Sequence, residues 1–165
     1  MPGYGNSDYG DRTVLVVGTG VAGAAAARVL LQLGARVRVC DRTDGDALAA
    51  LHGLGAQAVV TGDGLPAGLL DGVDDVVVSP GVAPHTPIAR AAVTAGLDVY
   101  SEPELAWRLR GPHAPPWLAV TGTDGKTTTV TMLAAMLAAA GRRSAALGNI
   151  GEPLVGVPDE RYDVI

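Results

Sequence analysis

At 165 residues, 48% of them apolar, the chain is long enough for one domain, or for one domain and a piece of another. A net charge of -5, with Asp and Glu scattered through the loops, excludes a general nucleic-acid binder, which would carry a basic face. The start, Met1 to Thr13, has neither a basic opening nor a signal-like apolar run, and no apolar stretch approaches the ~20 residues that cross a bilayer, so a cytoplasmic protein with no membrane partner is expected.

The first element is the β-branched and aliphatic run Thr13 to Val17, a strand that ends in Gly18-Thr19-Gly20-Val21-Ala22-Gly23. The alanine-rich Ala24 to Leu33 follows as a helix closed by Gly34. Ala35 to Cys40 reads as a second strand ending at Asp41, Asp46 to Leu54 as a helix, Gln57 to Val60 as a third strand, and Val73 to Val78 as a fourth, apolar enough to be buried on both faces. The lone Cys40 falls in such a run and is expected to be a small core residue. Ser79-Pro80-Gly81-Val82-Ala83-Pro84 is a loop, Thr86 to Ala95 a helix, Asp98 to Tyr100 a brief strand and Glu102 to Arg110 an amphipathic helix. Residues 1–110 form the first domain on this reading, and the proline-rich 111–116 is a linker. In 117–165 the pattern restarts: Trp117 to Val120 as a strand, Thr121 to Gly125 as a loop, Lys126 to Ala140 as a helix, and further strands at Ser144 to Leu147 and Tyr162 to Ile165. A domain that stops partway into a core strand is expected to be a fragment, and its unfinished edge to self-associate.

Two glycine loops carry the chemistry. Gly18, Gly20 and Gly23 fit G-x-G-x-x-G after a strand and at the start of a helix, with Asp41 at the end of the next strand. Such a turn brings a pyrophosphate to the helix amides, and Asp41 could accept from a ribose or base donor. The spacing points first to a nucleotide or nucleotide-sugar, and leaves open NAD in particular or glycines that only pack a helix. Arg42, beside Asp41, could meet a phosphate, stack on a base or be solvated.

The second loop lacks the spacing of the standard G-x-x-x-x-G-K-[ST], because Val120 stands five residues before Gly125. Thr121-Gly122-Thr123-Asp124-Gly125-Lys126-Thr127-Thr128 nevertheless keeps the working parts. Glycines let backbone amides face phosphates, Lys126 reaches the β and γ groups, and the Thr127 hydroxyl can ligate Mg2+. Eleven of the twelve basic residues are arginine, and the single lysine is this one.

This short loop closely resembles that of the Mur ligases, G-T-[NDH]-G-K-[ST]-[ST], and of the related folylpolyglutamate synthases. Gly18 to Gly23, Ser79-Pro80-Gly81-Val82, Glu102-Pro103-Glu104-Leu105 and Gly148-Asn149-Ile150-Gly151 stand in the order found in the branch of that family that adds D-glutamate. The resemblance implies an α/β architecture: a Rossmann-like parallel-sheet N-terminal domain for a UDP-substrate, then the start of a P-loop-type α/β ATP-binding domain. It implies an ATP- and Mg2+-dependent ligase that phosphorylates the carboxylate of UDP-N-acetylmuramoyl-L-alanine and lets the amine of D-glutamate displace the phosphate. By position, it implies a UDP-substrate site of Gly20, Val21, Ala22, Gly23, Asp41, Arg42, Ser79, Pro80, Gly81 and Asn149. It also implies an ATP site of Gly122, Thr123, Asp124, Gly125, Lys126, Thr127 and Thr128, with Lys126 as the catalytic cation and Thr127 as the metal ligand. Asp124 stands where many relatives have Asn, which leaves its role open. The family's magnesium-binding glutamate, histidine, modified lysine and D-glutamate domain have no counterpart here, and His52, His85 and His113 match no family context. These residues alone are therefore expected to bind nucleotide without catalysing ligation. Another Mur ligase, or a fragment of an NAD-binding oxidoreductase, is the alternative, and the second loop argues against the oxidoreductase.

Overall fold

A computed structural model describes residues 9–165; the first eight residues of the expected first domain lie outside the described part. Five strands, β1 (Thr13–Val17), β2 (Arg36–Asp41), β3 (Gln57–Val60), β4 (Asp75–Val78) and β5 (Asp98–Ser101), form one sheet in the order β3-β2-β1-β4-β5 with every pairing parallel. Strand β1 sits at the centre and order reverses beside it, between β1 and β4, as in doubly wound folds.

Side chains alternate across the sheet, and each face has its own core. Val14, Val16, Val37, Val39 and Val77 point to one face and pack with helices α1 (Val21–Gln32), α2 (Asp46–Gly53) and α4 (Glu102–Arg108). Leu15, Val17, Cys40 and Val76 point to the other, under Leu69, Val73 and helix α3 (Pro87–Thr94). Val73, expected to open the fourth strand, instead lies in the turn before it. Thr86, expected inside the third helix, is its N-cap, accepting from the Ala89 amide. At the edge away from the strand C-termini, the buried Asp75 accepts from Arg12 at 2.6 Å and from the Tyr100 hydroxyl at 3.3 Å, so its charge is paired inside the fold.

The second part of the chain is built differently. Helix α5 (Lys126–Ala139) has no buried residue, and Met132 and Met136 are 60% and 67% exposed. The expected strands at Trp117 to Val120, Ser144 to Leu147 and Tyr162 to Ile165 do not form as strands. What remains is a parallel bridge between Ser144 and Val164, with Leu118 and Pro116 bonded to Ile165. Those segments lie side by side, but short pieces with so few ladder bonds do not make a stable sheet.

Two features join this part to the first. The Arg110 guanidinium lies 4.2 Å from the Trp107 ring centre and 5.2 Å from that of Trp117, and it donates to Pro115 O at 2.6 Å. The linker is thereby bracketed by a cation between two indoles. Further on, Val155 is buried in the core beneath α1, and Leu154 packs beside it.

Candidate functional site

Loops from the C-terminal ends of all five strands surround a cleft of about 820 Å³, inside the range of roughly 300–1,000 Å³ that small-molecule sites occupy. The loop after β1 supplies Gly18, Gly20, Val21 and Ala22; Asp41 and Arg42 come from the end of β2, and Ser79 to Ala83 follow β4. Asn149 arrives from more than sixty residues further along and lines the same cleft. This is the place where an open parallel sheet binds ligands, beside the reversal of strand order.

The first loop is held from within. The Ser79 hydroxyl donates to Gly18 O at 2.9 Å, tying the turn after β1 to the turn after β4. Gly23 does not line the cleft. A Cβ there would come within 1.9 Å of Gly18 O and 2.3 Å of Ser79 Oγ, so the residue lets α1 press against the loop. The amides of Val21 and Ala22, in the first turn of α1, have no partner within the helix by its geometry and face an anion-binding position.

Asp41 also works mainly on the loop. Its Oδ2 accepts from the Thr19 amide at 2.7 Å and the Thr19 hydroxyl at 2.6 Å, and its Oδ1 accepts from the Arg42 amide at 2.7 Å. Partial burial pushes its pKa up, but these bonds outweigh that and hold the carboxyl below its ordinary value. The Arg42 guanidinium pairs with Asp63 at 2.6 Å at the open rim, where both are exposed. Cys40 lies at the floor, its thiol pushed up to about 12 by burial and then by the neighbouring Asp41, which leaves it neutral and unreactive.

Thr61 to Gly64, His85, Thr86, Glu102, Pro103 and the residues flanking Asn149 line the cleft as well; of these, Glu102, Pro103, Gly148, Ile150 and Gly151 stood in family-like segments without a named site role, and the others were not singled out as site residues. The signal available for Thr61 to Gly64 was position just beyond a parallel strand, and for His85 and Thr86 the start of a helix. Glu102 stands apart, because its 1% exposed carboxylate reaches the Val155 amide, 53 positions away.

The second glycine loop forms a separate site, and none of Gly122 to Thr128 lines the cleft. Gly125 takes φ +76 at the helix N-cap, a left-handed conformation that suits glycine, and the α5 amides begin there. Lys126 Nζ turns back to donate to Gly122 O at 2.5 Å and Thr123 O at 3.1 Å.

Residues 12–101 match the family described as Mur ligase MurD-like, N-terminal domain, and residues 120–160 match the Mur ligase middle domain. This chain belongs to the Mur ligase family. A protein of Frankia casuarinae named UDP-N-acetylmuramoylalanine--D-glutamate ligase is 58% identical over 146 residues, covering 86% of this chain and 30% of that protein. One of the same name from Streptomyces avermitilis is 48% identical, over 96% of this chain and 35% of its own length. The chain thus spans about a third of the length of the curated relatives it matches. Among solved structures, the murein peptide ligase of Psychrobacter arcticus is similar with a TM-score of 0.56 and 28% identity, over 91% of this chain and 31% of that one. The cleft is walled mostly by the MurD-like part and completed by Gly148 to Gly151 of the middle-domain part, which also carries the lysine loop.

Proposed function

We propose that this chain is the substrate-holding part of a MurD-type ligase, which joins D-glutamate to UDP-N-acetylmuramoyl-L-alanine at the expense of ATP. The observation that carries the reading is the convergence of four sequence-distant segments, Gly20 to Ala22, Asp41 with Arg42, Ser79 to Gly81, and Asn149, on one cleft. The names of the relatives supply the substrate, and the cleft supplies a place of suitable size and polarity.

In this reading 1–110 is the UDP-substrate domain, 111–116 the linker and 117–165 the first part of the ATP-binding domain. The amides of Val21 and Ala22 hold the diphosphate, Asn149 reaches it from the opposite wall, and Arg42 borders the uracil. Asp41 acts one step back, fixing Thr19 and so the loop. At the second site the Gly122 to Thr128 loop holds the triphosphate of ATP, and Lys126 exchanges its two carbonyl partners for phosphate oxygens. Thr127, at the start of α5, offers one hydroxyl, which fits Mg2+: this ion takes one or two protein oxygens and completes its shell with phosphate and water. No group of three or more His, Cys, Asp or Glu that could cage a metal occurs among the described residues. Bound ATP and Mg2+ would supply the activating phosphoryl group and its charge neutralisation, and the protein supplies position. A cytoplasmic location belongs to this reading. No described helix is long and apolar enough to cross a membrane.

Thermal stabilisation of the chain by UDP-N-acetylmuramoyl-L-alanine, set against NAD, tests the reading. A rise in Tm with the UDP-sugar and none with NAD is expected. Stabilisation by NAD alone would overturn it.

A further inference from the structure

Glu102 opens α4 at the rim of the cleft, yet its carboxylate points inward and is buried. Its Oε1 accepts from the Val155 amide at 2.5 Å. Val155 belongs to the segment matched by the Mur ligase middle domain, whereas Glu102 directly follows the MurD-like match. The bond therefore crosses the seam between the two parts. A buried carboxylate without a donor is costly, and one that accepts from a backbone amide makes a strong, directional contact.

The clasp is continuous with the cleft wall. Gly148 N donates to Glu152 O at 3.0 Å, closing the turn that carries Asn149, and Arg161 grips the Glu152 carboxylate at 2.7 and 3.2 Å. On its other side Gly156 lies so close to α1 that a Cβ would stand 3.2 Å from Val29. Only a few residues of tightly bonded chain separate the amide held by Glu102 from the side chain of Asn149.

We propose that Glu102 is a positioning residue that locks the Gly148–Gly151 loop over the cleft, so that retention of the UDP-sugar depends on a correctly placed acceptor at position 102. This rests on the cleft being the UDP-sugar site. The competing role, a negative charge that only favours the start of α4, needs no reach to Val155.

Three variants of this chain separate the two: Glu102→Gln keeps the acceptor and the reach, Glu102→Asp keeps the charge and loses the reach, and Glu102→Met keeps only the bulk. Hydrogen exchange over 148–157 is measured without ligand, and the affinity for UDP-N-acetylmuramoyl-L-alanine by calorimetry. Asp and Met, which lose the bond to the Val155 amide, are expected to speed exchange and weaken binding about ten-fold or more, while Gln stays within about three-fold. Should Met fail to fold, the milder Asp and Gln pair decides alone. Wild-type behaviour of Asp, or a loss in Gln as large as in Asp, overturns the proposal. A wild-type chain that binds no UDP-sugar would sink the cleft reading instead, and the ligand-free exchange would still decide whether Glu102 holds the loop.

Discussion

The chain builds a glycine loop at the start of a helix twice, and the two copies have different fates. In the first, β1 lies between β2 and β4, and α1 buries Gly23, Ala24, Ala26, Ala27 and Leu30 against it. In the second, the loop is well formed around Gly125, yet α5 buries nothing and the segment before it is no strand. The glycine and the following helix are locally determined, through φ and helix propensity. Burial is not local: it comes from neighbouring strands, which the first copy has on both sides. A phosphate loop can thus be shaped by its own residues while the helix behind it still presents an apolar surface.

The sharpest test of that contrast is truncation of one apolar side chain in each helix. Leu30→Ala should cost about 2–5 kcal/mol in urea denaturation, as expected for a fully buried leucine, whereas Met136→Ala should stay within about 0.5 kcal/mol. A large loss at Met136 would mean that α5 is covered in solution, and light scattering would then show whether a second copy covers it. Next in size is Gly23→Ala. The added methyl has no room against Gly18 O and Ser79, so a loss of about 1–3 kcal/mol is expected together with weaker UDP-sugar binding in calorimetry.

The smallest effect concerns acid. The Asp41 carboxyl lies below its ordinary value in the fold, so the stability it lends is present above the unfolded value of about 3.9 and is lost as pH falls through the folded one. Stability measured against pH should drop in that acidic window, and Asp41→Asn should flatten that part of the curve. An unchanged curve would mean that Thr19 does not depend on the Asp41 charge.

Much of the first part was legible because β1 and β4 are short, almost wholly apolar runs, as buried parallel strands must be, with a glycine or proline within two residues of their ends; β2, where Arg36 and Arg38 alternate with Val37 and Val39, was legible from its β-branched residues and from Gly34 before it. The ends were less so: Val73 is as apolar as its neighbours but faces the core from a turn. In the second part, Trp117 to Val120 and Ser144 to Leu147 carry the right residues, and their failure to pair as strands is invisible locally because pairing belongs to partners. The site divides the same way. Gly20 to Ala22, Arg42 and Ser79 to Gly81 announce themselves by glycine, charge and proline in loops. Gly23 carries the same letter for a packing reason, and Asp41 is engaged by the amide and hydroxyl of Thr19 and the amide of Arg42. Glu102 was legible only as part of the family-like segment Glu102 to Leu105; its contact with Val155 was not, since only the fold brings the two together.

The bracketed linker gives the protein a built-in optical gauge. Its only two tryptophans, Trp107 and Trp117, stand on either side of residues 111–116 with ring centres 5.4 Å apart at 72°, and Arg110 lies against both. Any swing of one half relative to the other must separate the indoles or strip the cation from one of them. Intrinsic emission should therefore report that hinge angle directly, with no added label.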